Sequence, residues 1–304
     1  MRKQQKNNER KKAPRWLSYI GYISTLGAAL LSSACNSSST SSTAPQEKEE
    51  KPYRKILDED GLEWMVNVKD NNIAYSVKHT QNAEIHVKDS EGIRKLTEYE
   101  PDEKIMDVRP RISNDYVYFV RETSPDGFEV KRRGYRIPIK GGKEEAVTPE
   151  NEDWWLYYLT SKGTPVGIKD EKVYVDGKET GAKARAHLDI SPDESRILTH
   201  YVKGANPSEV YLQEKDEKGW KAPIKIAEGY ENPQFINNGK EIFAKKGNSF
   251  YVLDLKGKVL KEYNVGNSIL TPYIEDGMVY FTLIPPNQTT RGELDSGKLE
   301  DMLK

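Results

Sequence analysis

The sequence predicts an all-β fold: a single β-propeller of six blades with about four strands each, five or seven remaining open, behind an exported N-terminal segment. Three observations carry this. No segment after Tyr53 sustains a helical period. Strand–turn–strand units recur instead, about 41 residues apart on average. The 304 residues hold 18 tyrosines against 6 phenylalanines and are 31% charged, a mix that suits strands keeping one wet face.

In chain order, the N-terminus comes first. Residues 1–15 read MRKQQKNNERKKAPR, residues 16–34 carry no charge, and Cys35 follows. A positive end, an apolar stretch and small residues before a cleavage point make a secretory signal. Leu31-Ser32-Ser33-Ala34-Cys35 resembles the lipobox of bacterial lipoproteins, although Leu stands four residues before the cysteine and Ser32 takes its usual place. The resemblance implies acylation of Cys35 and cleavage before it. The alternative is an uncleaved anchor, since residues 16–34 are about long enough to cross a bilayer. Residues 36–45, NSSSTSSTAP, and then QEKEEKP form a polar tether. The expected organisation is a signal peptide at 1–34, lipidated Cys and tether at 35–52, propeller at 53–284 and a loose tail at 285–304. Under either anchoring the basic end stays inside. The body then lies at the extracytoplasmic face of the cell membrane.

Charge narrows the partners. Residues 1–16 hold seven Lys/Arg and one Glu, which leaves 40 against 47 in the remainder, about −7. An acidic body lacks the electrostatic footprint for nucleic acid. The basic run Lys131-Arg132-Arg133 with Arg136 reads as the solvated face of a hairpin. A single cysteine forms no intrachain disulfide.

The repeat follows. Its first halves are MVNVKDNNIAYSV (65–77), PRISNDYVYFV (110–120), LTSKGTPVGIK (159–169), LDISPDESRILTHY (188–201), PQFINNGKEIFAK (233–245) and TPYIEDGMVYFTL (271–283). Central β-branched residues Ile73, Val117, Val166, Ile197, Ile242 and Val279 are spaced 44, 49, 31, 45 and 37 apart. Such a period, with several strands per unit, marks propeller blades. Second halves recur at 83–98, 134–149, 209–227 and 249–264, with a shortened one at 172–183. Ile190-Ser191-Pro192-Asp193, Arg196-Ile197 and Tyr211-Leu212 resemble the WD40-like repeat of the TolB propeller and its relatives. So does Tyr135-Arg136-Ile137-Pro138-Ile139-Lys140-Gly141-Gly142. The resemblance implies fold rather than function. The sixth unit lacks a second half, and Tyr53 to Glu59 reads like the last strand of the first unit. An N-terminal strand is therefore expected to close the ring and remove an open sheet edge.

Catalytic motifs are sparse. There is no G-x-S-x-G elbow and no H-E-x-x-H. Gly292 to Lys298 has P-loop spacing, but Leu299 replaces the Ser/Thr and no strand–helix context is expected. No cofactor is called for. Candidates for a ligand or partner surface near the channel are Arg109, Arg111, Trp154, Trp155, Tyr157, His187, Asp189 and Tyr273. His187 and Asp189 at i, i+2 share a strand face, and strict alternation puts Trp154, Leu156 and Tyr158 opposite Trp155 and Tyr157. The leading functional reading is a non-catalytic module that recruits a protein, peptide or glycan. The alternatives are a sensory accessory of a membrane partner and a propeller hydrolase or lyase.

Overall fold

Polar turns set the strand boundaries. Asp70, Asn71, Asn114, Asp170, Glu171, Asp176, Asn237, Asn238 and Asp276 have φ between 48° and 63°. In this left-handed region short polar side chains supply local hydrogen bonds. The computed structural model describes residues 51–57, 61–124, 129–185, 187–202, 206–284 and 292–303. Cys35 and the expected signal and most of the tether lie outside the described residues.

Strand β1 (Arg54–Leu57) opens the chain but belongs to the last sheet. An eight-stranded sheet follows as two successive antiparallel meanders. The first is β2 (Leu62–Lys69), β3 (Asn72–Lys78), β4 (Ala83–Asp89) and β5 (Gly92–Lys95). The second is β6 (Ile105–Ser113), β7 (Tyr116–Thr123), β8 (Lys131–Pro138) and β9 (Glu145–Ala146). One parallel pair, Ala83 with Met106, joins them. Next comes a sheet of β10 (Trp154–Leu159), β11 (Pro165–Lys169), β12 (Lys172–Val175) and β13 (Lys178–Lys183). Its successor has β14 (His187–Ile190), β15 (Arg196–Tyr201) and β16 (Glu209–Asp216). There β16 pairs both β17 (Gly219–Trp220) and β18 (Ile224–Glu228). A further meander is β19 (Glu231–Ile236), β20 (Glu241–Lys246), β21 (Ser249–Asp254) and β22 (Val259–Asn264). The last sheet runs β23 (Ser268–Glu275), β24 (Met278–Ile284), β25 (Glu293–Lys298) and then β1, with the short helix α1 (Leu299–Met302) after it.

The opening strands touch in turn: β2 meets β6 and β23, β6 meets β10, β14 meets β19, and β19 meets β23. Tyr158 of β10 and Leu188 of β14 share one buried cluster. This arrangement is a β-propeller. Its core lies between successive sheets: Leu198 and Val210 pack with Ile242 and Ala244, and Phe243 and Phe250 pack with Val279 and Phe281. Burying such side chains contributes roughly 1.5–3 kcal/mol each. The turn that carried the family resemblance is itself a staple. Ser191 Oγ donates to Asp193 and accepts the N–H of Arg196, whose guanidinium reaches Gly239 O in the next sheet at 2.8 Å.

Two expectations are corrected. The expected tail contains β25, whose residues 294–297 are buried, so β1 closes the ring one strand further out than the sequence suggests. The P-loop-spaced segment is thus a strand, and at Gly297 a Cβ would come within 2.3 Å of Pro52 O. The basic run is not a solvated face either. Arg132 pairs with Glu122 and Asp153, Arg133 bonds Thr148 O, and Arg136 pairs with Glu145; only Lys131 is exposed.

Candidate functional site in the centre of the propeller

Five of the strands that open the sheets share an irregularity, while β14 pairs in unbroken register. The pairing register shifts between Trp64 and Asn67 in β2, Val108 and Arg111 in β6, Trp154 and Leu156 in β10, Glu231 and Gln234 in β19, and Leu270 and Tyr273 in β23. Met65, Arg109, Asn232 and Thr271 take positive φ there, at 53°, 57°, 51° and 31°. Pro110, Pro233 and Pro272 follow directly, residues that strands tolerate at bulges.

After two of these kinks the next side chain stitches its strand to the neighbouring sheet. Asn67 Oδ1 accepts the N–H of Ile112 at 2.7 Å, and Gln234 Oε1 accepts that of Ile274 at 3.0 Å. Asp189 Oδ2 accepts the N–H of Phe235 at 2.7 Å in the same manner. Arg111 and Tyr273 occupy the same level but bond within their own strands, Arg111 Nη1 to Pro110 O and the Tyr273 hydroxyl to Glu275 Oε2 at 3.1 Å. The Arg111 guanidinium also lies over the Tyr158 ring of the next sheet, 5.9 Å from its centre.

Arg111, Tyr158, His187, Asp189, Tyr273 and Glu275 lie in one electrostatic field. Burial pushes the Asp189 carboxyl up to about 6, against the pull of the Phe235 N–H and the Arg111 cation. Burial, then the charges of Arg111 and His200, hold His187 well below the usual imidazole range, so it is neutral. Burial and the Asp189 charge push Tyr158 up, and burial with Glu275 does the same to Tyr273, so both hydroxyls stay protonated donors. Glu275 is raised by burial and by its acidic neighbours, Asp189 among them. A carboxyl near 6 beside a guanidinium and two phenols can accept a proton and stabilise the anion left behind. Among the described residues no group of three or more His, Cys, Asp or Glu side chains could hold a metal ion.

Four of the predicted candidates thus come together: Arg111, His187, Asp189 and Tyr273. The other four do not join them. Arg109 is 6% exposed, pairs with Glu122 at 2.9 Å and faces the Trp155 ring. Trp155 also receives the Arg132 and Arg185 guanidiniums, 4.0 and 5.6 Å from its ring centre. Trp154 and Tyr157 stack edge-on at 5.4 Å. This corrects the alternation expected from sequence: the bulge at Trp155 puts Trp154 and Tyr157 on one face and leaves Leu156 and Tyr158 on the other. Sequence reasoning missed Tyr158 and Glu275 as site residues. The X-Pro pairs inside the inner strands were the available signal for the kinks that place them.

No protein-family model matches the chain, and no curated protein matches it in sequence. Solved structures do share its fold. A glucose dehydrogenase aligns at TM-score 0.58 with 11% identity, covering 81% of this chain and 99% of that one. The soluble aldose sugar dehydrogenase of Escherichia coli aligns at 0.56 with 10% identity, covering 81% and 99%. TolB from Acinetobacter baumannii aligns at 0.44 with 15% identity over 75% of this chain and 52% of its own. At such identities the likeness shows the fold. It also corrects the reading of a non-catalytic recruiting module, because the propellers matched over almost their whole length are by name enzymes.

Proposed function

We propose that the protein is an enzyme acting by proton transfer on a sugar-like substrate in the centre of the propeller. Asp189 is the base, Arg111 stabilises the developing negative charge, and Tyr158 donates a hydroxyl hydrogen bond, while the Tyr273 hydroxyl is held by Glu275. The observation that carries this reading is the placing of the Asp189 carboxylate by the Phe235 N–H at 2.7 Å, with the Arg111 guanidinium over the Tyr158 ring at 5.9 Å; burial raises that carboxyl against the pull of the Arg111 cation. The substrate class is supported by the sugars named for the sugar dehydrogenases of the same fold. The chemistry is that of a lyase or hydrolase, in which Asp189 takes a proton from a carbon or from water.

The eight-stranded sheet counts as two blades in this reading, which makes the ring six-bladed; its single bridge and the two full meanders support that count. We also propose that Cys35 carries the lipid and residues 35–52 tether the body to the extracytoplasmic face, supported by the order of charge, apolar stretch and small residues. A palmitate analogue should label the wild type but not Cys35→Ala.

The activity test is a panel of oligosaccharides and uronate-containing glycans, read for new reducing ends and for the ultraviolet absorbance of a new double bond. A redox dye with simple aldoses runs alongside. Turnover lost in a folded Asp189→Asn variant supports the reading. Dye reduction alone, no turnover by the wild type, or equal turnover by both proteins overturns it.

A further inference from the structure

Away from the centre, a cleft of about 530 Å³ opens between the β10–β13 sheet and the β14–β18 sheet. Its walls carry four lysines, Lys162, Lys178, Lys215 and Lys218, around the indole of Trp220. All four lysines are exposed. Elsewhere the lysines of this acidic body are commonly paired: Lys55, Lys95, Lys140, Lys169, Lys172, Lys221, Lys225 and Lys245 each meet a carboxylate. Among the described residues no ion pair within 4.0 Å joins any of the four cleft lysines to a carboxylate.

The two acids in the wall do not neutralise them. Glu194 is occupied by two hydroxyls, Thr160 Oγ1 at 2.5 Å and Thr164 Oγ1 at 2.9 Å. Asp176 stands in the β12–β13 turn. Four cations against two anions leave the cleft at about +2 within a body near −7. Holding like charges together costs free energy that a bound anion returns. Lys215 Nζ sits 5.6 Å from the Trp220 ring centre, so one ammonium already lies against the indole face. The turns at the mouth are bare: at Gly163, Gly177 and Gly219 a Cβ would meet nothing within 4 Å, which leaves room for a ligand's outer groups. Lysine ammoniums are flexible point charges suited to phosphate, and an indole face suits a sugar ring.

We propose that this cleft is a second binding site, separate from the channel, for a phosphorylated sugar. The phosphates lie among Lys162, Lys178, Lys215 and Lys218, and the ring lies on Trp220. The volume falls in the range of small-molecule sites, roughly 300–1,000 Å³. Phosphate esters occur both on free sugars and on lipid headgroups, so the experiment separates the two sources.

The test is calorimetric titration of the full-length protein with fructose 1,6-bisphosphate, with inorganic pyrophosphate, and with vesicles containing phosphatidylglycerol. The bisphosphate is expected to bind more tightly than pyrophosphate, and binding should weaken as salt is raised. Lys162→Glu with Lys215→Glu should weaken it by about tenfold or more, while Asp189→Asn leaves it unchanged. Trp220→Leu, which keeps bulk in the cluster, should erase the preference for the sugar over pyrophosphate. Circular dichroism confirms that each variant is folded. Capture by vesicles without bisphosphate binding, no binding of any phosphate probe, or binding indifferent to the charge reversals would overturn the site.

Discussion

Asp189 Oδ2 accepts the backbone N–H of Phe235 at 2.7 Å, so the group proposed to move a proton also fastens β14 to β19. The two roles separate by substitution. Asn at this position keeps an acceptor oxygen for Phe235, while Ala leaves the N–H without one. Asp189→Ala is expected to lose about 1–3 kcal/mol of stability, and Asp189→Asn distinctly less. Thermal melts at fixed pH check this. Equal losses would show that the bond contributes nothing.

The pH dependence has a defined sign. The carboxyl of Asp189 titrates near 6 in the folded protein, above its ordinary value of 3.8. The folded state therefore binds the proton more tightly, and the contribution is complete below about pH 4 and lost as pH rises through 6. His200 acts oppositely: burial pushes it down to about 4, so its contribution is present above about 6.5 and lost as pH falls through 4. Comparing wild type with Asp189→Asn isolates the first effect. The wild type should lose on the order of 2 kcal/mol relative to the variant between pH 4 and 7. Turnover should rise with pH through about 6, as a base requires. A flat difference between the two melts would refute the raised carboxyl.

Closure depends on β1. Leu57 is buried at 4% exposure, and Lys55 pairs with Glu293 at 2.8 Å. Removing residues 50–60 should lower the melting temperature of the whole body in a single transition. Leu57→Ala alone should cost about 2–5 kcal/mol, whereas Lys55→Ala should cost under about 1 kcal/mol because the pair is exposed. An unchanged melting temperature after the deletion would remove β1 from the closing role.

Trp155 and Tyr157 give a third contrast. Trp155 is buried beneath Arg132, Arg109 and Arg185, so Trp155→Ala should cost about 3–5 kcal/mol. Tyr157 is only half-buried and should cost less. Neither is assigned a role in proton transfer, so residual turnover per folded molecule should be retained. Selective loss of turnover in folded Trp155→Ala would place the indole in the site.

Backbone space gives the sharpest stability prediction. Gly257 has φ +82°, and a Cβ there would lie 1.9 Å from Ile226 O. Gly257→Ala should force β18 and the β21–β22 turn apart, with a loss above about 3 kcal/mol read by chemical denaturation. Gly247→Ala, with positive φ but open space, serves as the comparison and should cost only about 1 kcal/mol.

The sequence shows much of this architecture because turn chemistry is local. Asn114, Asp170, Asn237 and Asp276 mark hairpins wherever they stand, and Ile73, Val117 and Ile242 mark the strands behind them. The β25 segment escaped because Glu293-Leu294-Asp295-Ser296-Gly297-Lys298 has one apolar side chain, although its middle is buried. Its place is set by partners far away in sequence: the Leu294 N–H meets Glu63 at 2.7 Å. Hydrophobic pattern does not record such bonds. At the centre, Arg111, His187, Asp189 and Tyr273 were legible from their place on opening strands. Tyr158 was not, because an inserted residue reverses alternation downstream of Trp155. Glu275 was hidden in a segment that reads as a turn.

The kinks at Met65, Arg109, Asn232 and Thr271 form a belt at one level of the inner wall. Beyond each kink the first two strands of the sheet return to one-to-one pairing. Such a belt works as an expansion joint: residues facing the middle can be exchanged, or the wall locally lengthened, without shifting the hydrophobic faces packed between sheets. The lining of the centre and the rigidity of the ring can therefore vary independently, and a scaffold of this kind can change its chemistry while keeping its frame.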